Sequence, residues 1–262
     1  MPLMSIDGLD LNVRQWGSGE PLVLVHGLGT RSGLWFNQVP VLAQHFHVVA
    51  VDLRGFGRSQ KPQDAAAYSI ELMARDIRGV CRALGLETIN FLGVSMGGFI
   101  GQQLALDYPD LCTRLVLGQT ACEFAIPPDV MTARLEALDQ TSMDAYAELV
   151  AAQALAQPCD PLIEEWLREM IADNDRTAYK HTLAGALAAF DLSAHISTIK
   201  SPTLVIAGSD DRVLPPEGGR KIAELIPDAQ FELIEGVGHL GYVEKPDVFN
   251  RAVMSFLNQP VN

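Results

Sequence analysis

The segment that most constrains this chain is Gly93-Val94-Ser95-Met96-Gly97-Gly98, which follows the apolar run Ile89-Asn90-Phe91-Leu92 and leads into the helix-forming stretch 99–106. A strand that becomes a helix within so few residues needs small side chains on both sides of the bend. Gly-x-Ser-x-Gly in this setting is the pattern of a nucleophile elbow, a sharp turn that lifts a serine hydroxyl clear of the sheet. Five positions alone are a weak signal. Their weight comes from the rest of the chain.

Short apolar runs at 21–25, 48–51, 89–94, 115–117, 203–207 and 231–234 are bounded by Gly, Asp or Pro, the pattern of strands buried in a parallel sheet. Helical spacing falls between them: Ile70, Met73, Ile77, Val80 and Leu84; Ile222, Leu225 and Ile226 after Pro215-Pro216; and a last helix from near Pro246 through Phe249, Val253 and Phe256. Residues 9–16 alternate and end at the turn Gly17-Ser18-Gly19, which predicts one opening antiparallel strand. Together these predict an α/β fold, a mostly parallel sheet with helices on both faces.

Residues 122–199 break the alternation. They hold four runs of apolar residues at helical spacing, beginning at Met131, Tyr146, Leu162 and Tyr179, punctuated by Pro127-Pro128, Pro158 and Pro161. The expected organisation is a core from 1–121 and 200–262 interrupted by a helical cap at 122–199. A length of 262 residues, 48% hydrophobic and 19% charged, suits one globular domain with such an insertion.

The net charge of -13, with no basic run longer than Arg220-Lys221, argues against nucleic acid as a partner. Cys81, Cys112, Cys122 and Cys159 are far apart, without C-x-x-C or ligand spacing, and are expected to be reduced thiols. Residues 1–10 have no basic segment followed by an apolar core, and no stretch approaches the roughly 18 apolar residues that span a bilayer. The expectation is a cytoplasmic protein with no membrane partner.

A serine hydroxyl needs a base within hydrogen-bond reach and an acid to orient that base. The run 203–207 is followed by Gly208-Ser209-Asp210-Asp211-Arg212, and 231–234 by Glu235-Gly236-Val237-Gly238-His239. These polar groups fall at the carboxyl ends of strands, where open α/β sheets carry their sites.

With these stand His26-Gly27-Leu28-Gly29 after the first parallel run and Asp52-Leu53-Arg54-Gly55-Phe56-Gly57-Arg58-Ser59 after the next. On these motifs the chain resembles the α/β-hydrolase superfamily over essentially its whole length. Through 26–30 and 202–216 it is similar to the serine branch of 3-oxoadipate enol-lactonase-like hydrolases and small carboxylesterases. The resemblance implies that Ser95 is the nucleophile, His239 the general base and then acid, and Asp211 the orienting acid. It also implies an oxyanion hole formed by the backbone N–H groups of Leu28 and Met96. Asp210 is the neighbouring rival for the acid, separated only by family spacing, and Glu123 a more distant one.

Other residues have plainer expectations. His26 braces the oxyanion loop, His45 and His47 flank a strand start, and His181 and His195 lie in or after the cap. Trp35, Trp166, Tyr146, Tyr179 and Phe190 are candidate pocket aromatics, although helical spacing more often marks core. Neither Gly27-Leu28-Gly29 nor Gly55-Phe56-Gly57 completes a dinucleotide loop, and no phosphate-loop motif occurs, so no cofactor or metal is expected.

The resulting expectation is a cofactor-independent serine hydrolase of a small carboxylic ester or lactone, working through an acyl-enzyme. A carbon–carbon bond hydrolase of ring-cleavage products and a small-molecule sensor with a retained triad stay open. Leu187-Ala188-Ala189-Phe190 before Asp191 lacks the arginine that the resemblance associates with anionic enol-lactones, and Arg176 and Lys180 in the last cap helix are expected to face solvent. A weakly charged acyl group is the corresponding expectation.

Overall fold

The computed structural model describes residues 3–259; Met1 and Pro2, and Pro260, Val261 and Asn262 at the end of the 200–262 segment, lie outside the described residues. A seven-stranded sheet forms the centre. Its strands are β3 (Val13–Trp16), β4 (Glu20–Val25), β5 (Phe46–Val51), β6 (Ile89–Val94), β7 (Cys112–Gly118), β8 (Thr203–Gly208) and β9 (Gln230–Ile234). They are ordered β3-β5-β4-β6-β7-β8-β9, and only β3 runs antiparallel to its neighbour. β6 and β8 are buried along their whole length, which is why their sequences are continuous apolar runs instead of alternating ones.

The predicted opening strand is in fact two. β1 (Met4–Ile6) pairs with β2 (Leu9–Leu11) in a separate two-stranded sheet, and the chain changes sheets at Asn12 before entering β3. Asn12 is buried, and the loop after β5 takes its hydrogen bonds. Its N–H donates to Ser59 Oγ at 2.9 Å, its side-chain amide to Asp52 Oδ2 at 2.9 Å, and its carbonyl accepts from the Asp52 N–H at 2.9 Å. Leu9, Leu11 and Val13 all remain buried across the break, so the inward period of two conceals it.

Helices α2 (Ile70–Ala83) and α3 (Met96–Asp107) pack against each other on one face of the sheet. The final helix, Pro246–Leu257, lies with the loop between β4 and β5: Gln38 Nε2 donates to Asn250 Oδ1 at 3.1 Å, and Asn250 Nδ2 to the Asn37 carbonyl at 3.0 Å. Right-handed crossovers place these two sets on opposite faces, because β4 to β5 steps one way along the sheet and β6 to β7 the other.

Between β7 and β8 the chain forms helices Pro128–Gln140, Met143–Ala154, Pro161–Ala172 and Arg176–His181, the last widening into a π-helical turn at Thr182–Leu187. An antiparallel bridge between Glu123 and Asp191 closes the base of this segment. Phe99 stacks on Phe190 there, with ring centroids 4.2 Å apart. No helix among the described residues is long and apolar enough to cross a membrane. The four cysteines are free thiols, and burial pushes Cys81 and Cys112 up to about 12.

One buried ion pair fixes the loop after β5. Arg54 Nε and Nη2 grip both carboxylate oxygens of Asp76 on α2, at 2.6 and 2.7 Å, while Nη1 donates to the Ala67 carbonyl at 2.7 Å. Removing one charge strands the other in a poorly solvated site. Asp76→Asn is expected to lower unfolding stability by about 3–5 kcal/mol in urea titrations; a loss below about 1 kcal/mol would show that water reaches the guanidinium.

Candidate active site

The parallel strands place the sequence-predicted residues along one edge. Residues 26–30 follow β4, Ser95 follows β6, Asp211 follows β8 and His239 follows β9. β4 and β6 are adjacent although their onward connections diverge, so a crevice opens at their carboxyl ends. A cavity of about 600 Å³ lies here, and Ser95, His239, Gly27, Leu28 and Met96 all line it.

Ser95 sits at φ 54°, ψ -121°, a conformation that side chains other than glycine rarely adopt. The surroundings hold it. Its N–H donates to the Gly118 carbonyl at 2.9 Å, and its carbonyl accepts from the Gly98 N–H at 2.8 Å and from Thr120 Oγ1 at 2.9 Å. Close packing explains the flanking glycines: a Cβ on Gly93 would lie 2.2 Å from the Gly97 carbonyl oxygen, and one on Gly97 only 2.1 Å from that of Val25.

His239 Nδ1 lies 2.7 Å from Asp211 Oδ2. A carboxylate can only accept, so Nδ1 carries the proton and Nε2 is left with a free lone pair. Asp211 is itself anchored, its Oδ1 accepting from the Val213 and Leu214 N–H groups at 2.8 and 2.9 Å. Asp210 turns away to accept from Ser209 Oγ, and Glu123 pairs with Lys221 at 2.5 Å. Neither rival contacts His239.

The N–H groups of Leu28 and Met96 donate to no partner among the described residues, and both residues line the cavity beside Ser95. His26 supports this loop, as the sequence led us to expect. The Leu53 N–H donates to its Nε2 at 3.0 Å, so Nδ1–H donates to the Gly27 carbonyl at 2.7 Å, and burial lowers its pKa, which keeps the ring neutral.

The structure also shows groups that sequence reasoning passed over. The His239 N–H donates to the Ala154 carbonyl at 2.6 Å, and Arg212 Nη2 donates to the carbonyls of Ala152 and Leu155, each at 2.9 Å. Glu244 accepts from the N–H groups of Ala156, Gly238 and Leu240. Among the candidate aromatics, Tyr146 and Tyr179 line the cavity, whereas Trp35 packs on Tyr242 and Trp166 on Phe36. Arg134 is among the residues that line the cavity, whereas Arg176 and Lys180 are not, and Lys180 is tied to Asp139 at 2.6 Å.

The profile of the alpha/beta hydrolase fold family matches residues 20–157 and 167–246. The chain belongs to this family. Among its relatives is a protein named putative carbamate hydrolase RutD from Agrobacterium fabrum, 32% identical over 251 residues that cover 90% of this chain and 92% of the relative. Solved structures like it include the enol-lactonase from Burkholderia xenovorans, with a TM-score of 0.92 and 30% identity over 98% of this chain and 100% of that one. Another is a thermophilic esterase from Thermogutta terrifontis, with a TM-score of 0.88 and 28% identity over 98% and 96%.

In this α/β hydrolase, Asp52 joins the candidate oxyanion loop to its neighbours. Its Oδ1 accepts from the Ser32 N–H at 2.7 Å and its Oδ2 from the Arg58 N–H at 2.9 Å. Burial by itself would raise its pKa, but the Arg58 amide, His26 and Ser32 outweigh it and hold the carboxylate below its ordinary value of 3.8. A depressed folded pKa adds stability that is present above the unfolded value and is lost as the pH falls through the folded one. Asp52→Asn is therefore expected to be less stable than wild type by about 1–3 kcal/mol at pH 7. Urea titrations should show the two converging below about pH 4; a gap that ignores pH would show that the charge contributes nothing.

Proposed function

We propose that this chain is a cofactor-independent serine hydrolase of small carboxylic esters or lactones. Ser95 is the nucleophile, His239 the base and Asp211 the acid that orients it. The observation that carries this reading is the Asp211–His239 bond at 2.7 Å, behind a histidine that shares one cavity with Ser95 and two unpartnered amides.

His239 Nε2 takes the Ser95 proton as Oγ attacks the carbonyl carbon, and the tetrahedral oxyanion accepts from the Leu28 and Met96 N–H groups. The protonated imidazole, steadied by Asp211, then gives its proton to the leaving alkoxide. Water attacks the acyl-enzyme by the same route, with His239 again as base, and releases the acid. From a lactone the alcohol stays tethered to the acyl chain.

Residues 122–199 act as a cap over this cavity, since Tyr146 from one of its helices and Tyr179, Leu183 and Leu187 from another and its π-helical turn line it together with Ser95. The free thiols fit a cytoplasmic enzyme. The carbamate named for the RutD relatives offers a carbonyl to the same serine. The cavity, of about 600 Å³, has room for an acyl group of several carbons.

Ser95→Ala is expected to cut ester turnover by about 10⁴-fold or more while the protein still binds ligand and unfolds as wild type. Retention of a tenth of the activity would remove Ser95 from the mechanism. For the acid, Asp211→Asn is expected to lower kcat by about 10³–10⁴-fold through misorientation of His239, with Asp210→Asn close to wild type. Steady-state kinetics on a short-chain nitrophenyl ester checks both, and the reverse ranking would move the acid by one position.

A further inference from the structure

The cavity wall is mostly apolar, yet the helix Pro128–Gln140 brings an arginine into it. Arg134 is half-buried, lines the same cavity as Ser95 and His239, and has no ion-pair or hydrogen-bond partner among the described residues. The positions three and four residues away on its own helix, Val130, Met131, Ala137 and Leu138, offer no carboxylate. Glu148, the one acidic residue lining the cavity, is held by Arg168 at 3.0 Å with its side chain 61% exposed.

A chain of net charge -13 has many carboxylates with which to pair its cations. Half-buried and without a protein partner, the Arg134 guanidinium keeps its fork of donors available to an anionic group that enters the cavity.

Two tyrosines stand with it. Tyr146 and Tyr179 meet edge to face with centroids 5.5 Å apart. Burial pushes both hydroxyls up while the Arg134 charge draws both down, so the guanidinium acts on the two together. The cluster also reaches the reaction centre: a Cβ on Gly29 would lie 2.8 Å from Tyr179 Cε2, in the loop whose Gly27 abuts Ser95.

We infer that Arg134, with the hydroxyls of Tyr146 and Tyr179, is a recognition site for an anionic group on the substrate, which makes the preferred substrate a carboxylate-bearing ester or lactone. This rests on the serine hydrolase reading and names its substrate class. A guanidinium grips a carboxylate through two parallel N–H donors, and because Tyr146 and Tyr179 hydrogen-bond each other, one of the two hydroxyls is left to donate to the same oxygens. The weakly charged acyl group expected from the sequence gives way to a charged one.

The test compares monoethyl glutarate, whose anion is on the acyl side, and the acetate ester of hydroxypropanoate, whose anion is on the alcohol side, each with a neutral ester of equal length. Wild type is expected to favour one anionic ester in kcat/KM, and Arg134→Gln to lower that anionic-to-neutral ratio by about tenfold or more, mainly through KM. Arg134→Lys, which keeps the charge but loses the fork, should recover part of it. No anionic preference in wild type, or a ratio that Arg134→Gln leaves unchanged, overturns the proposal. That is the result expected if only the arginine stem lines the wall and its head lies in water.

Glutarate binding, measured by calorimetry on wild type and Arg134→Gln, decides the point independently of turnover. Loss of binding in the variant supports the site, and equal or absent binding in both proteins refutes it. If no ester is hydrolysed and a small phosphonate does not label Ser95, the hydrolase reading fails while the glutarate comparison still judges Arg134.

Discussion

The fold depends most on the strained turn at Ser95. A serine held at φ 54°, ψ -121° costs about 1–3 kcal/mol, so the surrounding structure must over-determine it. Three hydrogen bonds, from Gly98, from Thr120 and to Gly118, fix the peptide units on either side. The close approach of Gly97 to the Val25 carbonyl makes the turn possible only where β4 and β6 are immediate neighbours. The same adjacency brings Gly27 against Ser95: a Cβ there would lie 2.9 Å from the serine Cβ. Strand order, elbow and candidate oxyanion loop are therefore one constraint.

Buried polar groups behind that loop fix its shape without entering the cavity. His26 is neutral and satisfied at both ring nitrogens, and Asp52 gathers the N–H groups of Ser32 and Arg58 together with the Asn12 amide. A fully partnered network of this kind specifies one backbone arrangement, because any other would leave a buried donor or acceptor unmet. The Leu28 and Met96 amides beside it have no partner among the described residues, while the polar groups behind them are occupied.

Much of this was legible in the sequence because it is local. The apolar runs became β4 through β9 with ends shifted by a few residues, and the order of elbow, Asp-Asp loop and Gly-His loop lined up on one sheet edge. The choice between Asp210 and Asp211 was not local. The two differ in which way the carboxylate turns from a shared loop, and Ser209 takes the first while the Val213 and Leu214 amides aim the second at His239. The break at Asn12 was hidden because both halves keep the same inward period. Arg134 was hidden for another reason: a cavity wall is assembled from helices whose mutual placement has no sequence period, so a cation facing the cavity looks the same in the sequence as one facing water.

The helical segment is not joined to the core evenly. The end of the helix Met143–Ala154 is locked to the loops carrying His239 and Asp211, through the His239 N–H, both contacts of Arg212 and the carboxylate of Glu244. Displacing it would break hydrogen bonds to the loops that hold the Asp211–His239 pair together. Among the described residues, the one polar side-chain tie from the helix Pro128–Gln140 to another element is the ion pair of Asp139 with Lys180, whose side chains are 53% and 36% exposed. Exposed pairs of this kind hold by about 1 kcal/mol or less. The wall that carries Arg134 is thus joined to the rest of the protein chiefly by apolar packing, with Leu138 buried and Met131, Leu135 and Ala137 against the core, while the wall beside His239 is joined by hydrogen bonds as well.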